Sequence, residues 1–130
     1  MRVRQILLAL ALCLPHVPGE ASARIPRVRS VVVDATAYNS LPEQTGEDAS
    51  LSASGHRLEP GMRAIAVSAD LARMGLVHGR KVRIDGVDGV WVVRDRMPDQ
   101  WKRRIDVYMG EDVDAALSFG RRRVRITWQE

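Results

Sequence analysis

Lys81-Val82-Arg83-Ile84-Asp85-Gly86-Val87-Asp88-Gly89-Val90-Trp91-Val92-Val93 is the stretch that decides the fold. Two short runs rich in β-branched residues flank a segment carrying two glycines. That pattern predicts a β-hairpin, with strands over 81–84 and 90–93 and a turn over 85–89. On the N-terminal side, Arg27 to Tyr38 contains Val28, Val31, Val32 and Val33 and predicts a long strand. Ala64-Ile65-Ala66-Val67 predicts a short buried one. Ser68 to Met74 follows as a short helix, with Ser68 as N-cap and Gly75 as its stop. On the C-terminal side, Arg104 to Tyr108 and Val124 to Trp128 predict two more strands. Glu111 to Ser118, with acids in its first turn and Gly120 after it, predicts a second short helix. Six short strands and two helical turns in about a hundred residues argue an all-β chain closed into a barrel, because closure removes exposed sheet edges. No internal repeat is visible in the sequence.

The chain has 130 residues, 45% hydrophobic and 28% charged, with one Cys. One domain fits that length, while a disulfide scaffold and a Cys-based zinc site do not. The first 23 residues are read as a signal peptide. Arg2 and Arg4 precede the apolar run Ile6 to Leu14, Pro15 and Pro18 break it, and Ala21-Ser22-Ala23 suits cleavage before Arg24. The nine-residue run is short for a membrane span, which needs about 20 residues. Cys13 follows Leu12, which is not the small residue a lipidation motif wants. The domain expected over 24–130 keeps 18 basic and 15 acidic side chains, a balance of +3. Arg121-Arg122-Arg123 and Arg125 alternate into Val124, Ile126 and Trp128, a strand with one charged face and not a nucleic-acid arm.

The chemistry concentrates between Val93 and Tyr108. Asp95 and Asp106 each lie at or near a strand, and Asp106 sits between Ile105 and Val107, which should face the other way. Burial raises a carboxyl pKa and a neighbouring carboxylate raises it further, so such a pair can supply a general acid. The alternative is that both are structural ion-pair partners of Arg94, Arg96, Arg103 or Arg104. Trp101 in its charged loop is a candidate sugar-stacking platform, whereas Trp91 alternates into a strand and should be core. Thr36, Ser52 and Ser54 suit cleft or turn hydrogen bonding, and Tyr38 either lines the cleft or closes the barrel. His56 and His78 have no metal-ligand spacing.

The ordered set Ala35-Thr36-Ala37-Tyr38-Asn39-Ser40, Ser52-Ala53-Ser54-Gly55, Ala64-Ile65-Ala66-Val67, Gly79 to Ile84, Val93-Arg94-Asp95-Arg96-Met97, Arg104-Ile105-Asp106-Val107-Tyr108 and Ala116-Leu117-Ser118-Phe119-Gly120 resembles the 3D, or three-aspartate, domain. That domain is similar to the catalytic barrel of membrane-bound lytic transglycosylase A and to rare lipoprotein A. The resemblance runs from about Val31 to Trp128. It implies a six-stranded double-psi β-barrel, export to the periplasm or cell envelope, and cleavage of peptidoglycan glycan strands with a 1,6-anhydro product. Asp106 would be the acid/base and Asp95 its supporting aspartate. Thr36, Tyr38, Ser54, Ser68, Arg96 and Trp101 would bind substrate. Ser68 stands where the family's first aspartate usually follows its strand, and Asp70 comes two residues later. The glycine-rich link between the last two aspartates is replaced by Arg96 to Arg103. No cofactor, nucleic acid or membrane span is expected, and the chain should be a monomer. The second reading of the same cleft is a non-catalytic barrel that grips or loosens the wall.

Overall fold

The computed structural model describes Pro15, Gly19, residues 22–40 and residues 57–130. The signal-peptide reading, Ser52, Ser54 and His56 fall outside them. Strands β1 (Val28–Tyr38), β2 (Ala64–Val67), β3 (Lys81–Ile84), β4 (Val87–Arg96), β5 (Arg104–Tyr108) and β6 (Arg122–Gln129) close into a barrel in the order β1-β5-β2-β4-β3-β6. Helix α1 (Ala69–Arg73) follows β2 and helix α2 (Val113–Phe119) follows β5. The expected all-β, six-stranded barrel with two short helices is present. Among the described residues, no helix is long and apolar enough to cross a membrane.

The barrel repeats itself in topology. Moving every strand three places along the chain maps each neighbour pair onto another: β1–β5 onto β4–β2, and β1–β6 onto β4–β3. The first two pairs are both parallel and the last two both antiparallel. Each half reads strand, strand, helix, strand. The pseudo-two-fold axis therefore runs through the middle of the β2–β5 pair and, on the opposite wall, the β3–β6 pair.

Alternation fills the interior. Val33, Ala35, Ile65, Val67, Ile105, Val107 and Ile126 are each at most 2% exposed and point inward with Val82, Val93 and Trp128. Trp91 belongs to this core, as expected. Leu71 on α1 and Phe119 at the end of α2 pack against it, and so place the two helices.

The hairpin turn and the cap of α1 differ from expectation. The hairpin turns at Asp85-Gly86 alone, with Gly86 at φ +77°, and β4 resumes at Val87, so Asp88 and Gly89 lie in the strand. A two-residue turn keeps Ile84 opposite Val87 and in the sheet. Ser68 stands at the N-cap of α1, but its hydroxyl makes no cap bond. Asp112 does cap α2, accepting from the Ala115 amide at 2.9 Å.

Ile105 touches the core from the central β2–β5 wall and is fully buried. Ile105→Ala should destabilise the fold by about 2–5 kcal/mol in a denaturant titration. A much smaller loss would mean that this wall does not carry the core.

Candidate active site

The two central aspartates meet on one row of the sheet. In-register partners place Thr36 (β1) beside Asp106 (β5), Asp106 beside Ala66 (β2), and Ala66 beside Asp95 (β4). Cross-strand partners share a face. This row faces outward, because Ala35, Ile65, Val67, Ile105 and Val107 on the neighbouring positions face the core. The α-carbons of Asp95 and Asp106 are separated by two strand spacings, about 9–10 Å, with only the Ala66 methyl between them.

Asp95 reaches that row through a break in register. Ile65 pairs with Val93, but Ala66 pairs with Asp95, so Arg94 is an extra residue in β4. In a regular strand Asp95 would share the inward face of Val93. The added residue turns it outward, as bulges beside functional sites commonly do. The Asp95 carboxylate also accepts from the Arg96 amide at 2.8 Å.

Asp106 is half-buried. Thr36 Oγ1 donates to its Oδ1 at 2.5 Å, and Arg104 Nη2 donates to Thr36 Oγ1 at 3.3 Å. Burial pushes the Asp106 carboxyl above its ordinary range, against the Thr36 hydrogen bond and the Arg104 charge, which pull it down. Among the described residues, no Arg or Lys nitrogen forms an ion pair with this carboxylate. Two residue-pairs further along, Tyr38 stands opposite Tyr108, with ring centroids 5.4 Å apart. These rings form an outer apolar cluster with Leu58 and Ala64. The Tyr38 hydroxyl is buried and has no hydrogen-bond partner among the described residues. Its pKa is raised by burial first, then by the charges of Asp95 and Asp106 and by Tyr108. The phenol therefore keeps its proton beside both carboxylates.

The remaining expected residues divide. Trp101 is 37% exposed, and the Arg104 guanidinium lies 4.0 Å from its ring centroid. The chain of contacts Trp101–Arg104–Thr36–Asp106 thus ties the loop to the carboxylate. Arg96 is exposed at the end of β4, next to Asp95. Ser68 does not line a cleft. It is fully buried, donates to Asp70 Oδ1 at 2.5 Å and accepts from the Arg104 amide at 3.1 Å. Asp70 Oδ2 accepts from the Arg103 amide at 2.9 Å. Partial burial pushes the Asp70 carboxyl up, but the bonds from Ser68, Arg103 and Leu71 outweigh it and lower its pKa. Arg103 is the one non-glycine residue with positive φ among those described, at +45°. The Ser68–Asp70 pair clasps this left-handed turn and so sets where β5, with Arg104 and Asp106, begins.

Arg104 is the residue that sequence reasoning undervalued, treating it only as an ion-pair candidate. Its signal was its spacing: two residues before Asp106 on one strand means the same face. Asn39 fixes the exit of β1 by donating to the carbonyls of Gly110 and Asp112 at 3.2 and 3.0 Å. Among the described residues, no group of three His, Cys, Asp or Glu side chains is placed to hold a metal ion. Comparison with protein-family models and with curated proteins finds no match.

Two outcomes follow from this geometry. Ser68→Ala should cost about 1–3 kcal/mol in urea, because the Arg104 amide loses a buried partner; a neutral result would show that the clasp does not hold the turn. Asp106 has a raised pKa in the folded state, so its effect on stability is unfavourable at neutral pH. Stability should fall as pH rises from the ordinary Asp range through the raised pKa. Asp106→Asn should flatten that part of a melting-temperature-against-pH profile, and an unchanged profile would refute the burial argument.

Proposed function

We propose that this protein is exported to the cell envelope and cleaves peptidoglycan glycan strands as a lytic transglycosylase, with Asp106 as its general acid and base. The observation that carries this reading is the half-buried Asp106 carboxyl. It is raised in pKa by burial, held by Thr36 and set on an outward row with Asp95. The resemblance to the three-aspartate domain supports the substrate.

A carboxyl that keeps its proton can give it to the glycosidic oxygen between N-acetylmuramic acid and N-acetylglucosamine. As that bond breaks, positive charge develops at the anomeric carbon, and the Asp95 carboxylate lies on the correct wall to stabilise it. The 6-hydroxyl of the same sugar then attacks that carbon. Its proton passes to the Asp106 carboxylate, which restores the acid and closes a 1,6-anhydro ring. No water is consumed and no enzymic nucleophile is needed, in contrast to hydrolytic pairs of carboxylates. Tyr38 packs beside the carboxylates, Trp101 offers a stacking face, and Arg104 positions both Thr36 and Trp101. Arg96 lies at the same edge for the sugar's polar groups.

The test is incubation of the purified protein with sacculi, followed by mass spectrometry of the released muropeptides. Anhydro-ended products should appear. Asp106→Asn should reduce them by about 10²–10⁴-fold. The rate should also fall as pH rises through the Asp106 pKa, because the acid form is consumed. Absence of products while the protein still pellets with sacculi would replace this reading with a glycan-binding barrel.

A further inference from the structure

We propose that the wall opposite Asp106 carries a second binding site, which takes the carboxylates of a short peptide. A groove of about 700 Å³ opens on the β3–β6 wall. In the closed order β1-β5-β2-β4-β3-β6, that pair lies diametrically across the barrel from β2–β5. Neither Asp106 nor Asp95 lines the groove, although His78 borders both it and the small recess at Asp95 and Arg96.

Its chemistry is one-signed. Arg80, Lys81 and Arg83 line it, and no Asp or Glu does. Arg80 is built in: its Nε donates to the Gly75 carbonyl at 3.0 Å and its Nη1 to the Gln129 carbonyl at 2.9 Å. Lys81 and Arg83 are two residues apart on the outward face of β3, about 6.6–6.8 Å along the strand. Both are exposed, and among the described residues neither is in an ion pair. The rest of the lining includes Val28 and Val77, which are 61% and 50% exposed. Two unpaired cations spaced along a groove with apolar sides complement an extended ligand that has two anionic groups and small aliphatic side chains at its ends. A peptide of three or four residues with two carboxylates has that form and volume.

The choice of a peptide from the cell wall, and not another acidic peptide, rests on the proposed action on peptidoglycan, whose glycan strands carry such peptides. The site would then hold a neighbouring strand's peptide while the Asp106 wall holds the glycan being cut. One small barrel would bridge two strands.

The test uses fluorescence anisotropy with fluorescein-labelled L-Ala-γ-D-Glu-L-Lys-D-Ala as probe, and the same peptide with both carboxylates amidated as its control. The acidic peptide should bind the protein, and amidation should weaken binding at least about tenfold. The K81Q/R83Q variant should lose about a hundredfold, because each of the two lost charge-assisted contacts is worth about a factor of ten. Both side chains point away from the core, and an unchanged melting temperature would show that the variant is folded; single K81Q and R83Q variants, each with a smaller loss, provide the second line. Asp106→Asn should bind the peptide as the parent does. No binding, equal binding of the amidated peptide, or full affinity in K81Q/R83Q would overturn the proposal. So would Lys81- and Arg83-dependent capture of phosphatidylglycerol vesicles without peptide binding, which would assign the groove to lipid phosphate. Peptide binding does not require glycan cleavage, so the two readings fail separately. Binding without anhydro products would keep the groove and remove the transglycosylase, and products without binding would do the reverse.

Discussion

A closed six-stranded barrel has room inside only for its own side chains, and alternation along each strand leaves no choice about where the rest must go. The interior of this barrel is filled by Val33, Ile65, Val67, Val107, Ile126 and their neighbours. Every polar group with chemical potential is consequently placed on the outer walls. Asp106 points outward because Ile105 and Val107 are needed inside. The candidate site is therefore a row on the outside of the sheet and not a barrel mouth, next to the outer apolar cluster of Tyr38, Tyr108, Leu58 and Ala64.

The pseudo-two-fold axis passes through two opposite walls of the barrel, each of which maps onto itself, and the sequence gives them opposite chemistry. The β2–β5 wall carries the carboxylates, separated by the small Ala66. The β3–β6 wall carries Lys81 and Arg83 beside a groove with no acid. The division of charge also keeps Asp106 remote from the cations of the other wall, so that burial dominates its pKa.

Much of the fold was legible. Strand runs such as Lys81 to Ile84 and Arg104 to Tyr108 are short, β-branched and alternating, and local pattern is enough to find them. Gly89 looks like a turn glycine, yet Ile84 pairs with Val87 and Val82 with Trp91, so Gly89 lies within β4 at a register shift against β3. Ser68 was read as a cap and a cleft residue because Ser before a helix usually caps it. Its hydroxyl is instead taken by Asp70 and the Arg104 amide, a partner 36 residues away that no local pattern reveals. Arg104 was underrated for the same reason: its link to Thr36 exists only once β1 and β5 are paired in parallel.

Sequence alone determined the all-β class, the short strands and the candidacy of Asp106, because these depend on residue type and a period of two. Tertiary structure decided the strand order, the repeated halves and the company each carboxylate keeps. Asp95 shows the reason most plainly. Two residues after the inward Val93 it should point into the core, and only the one-residue slip against Ile65 and Ala66 turns it toward Asp106. That slip is a property of how two distant strands pair, and nothing in the order of residues along β4 announces it.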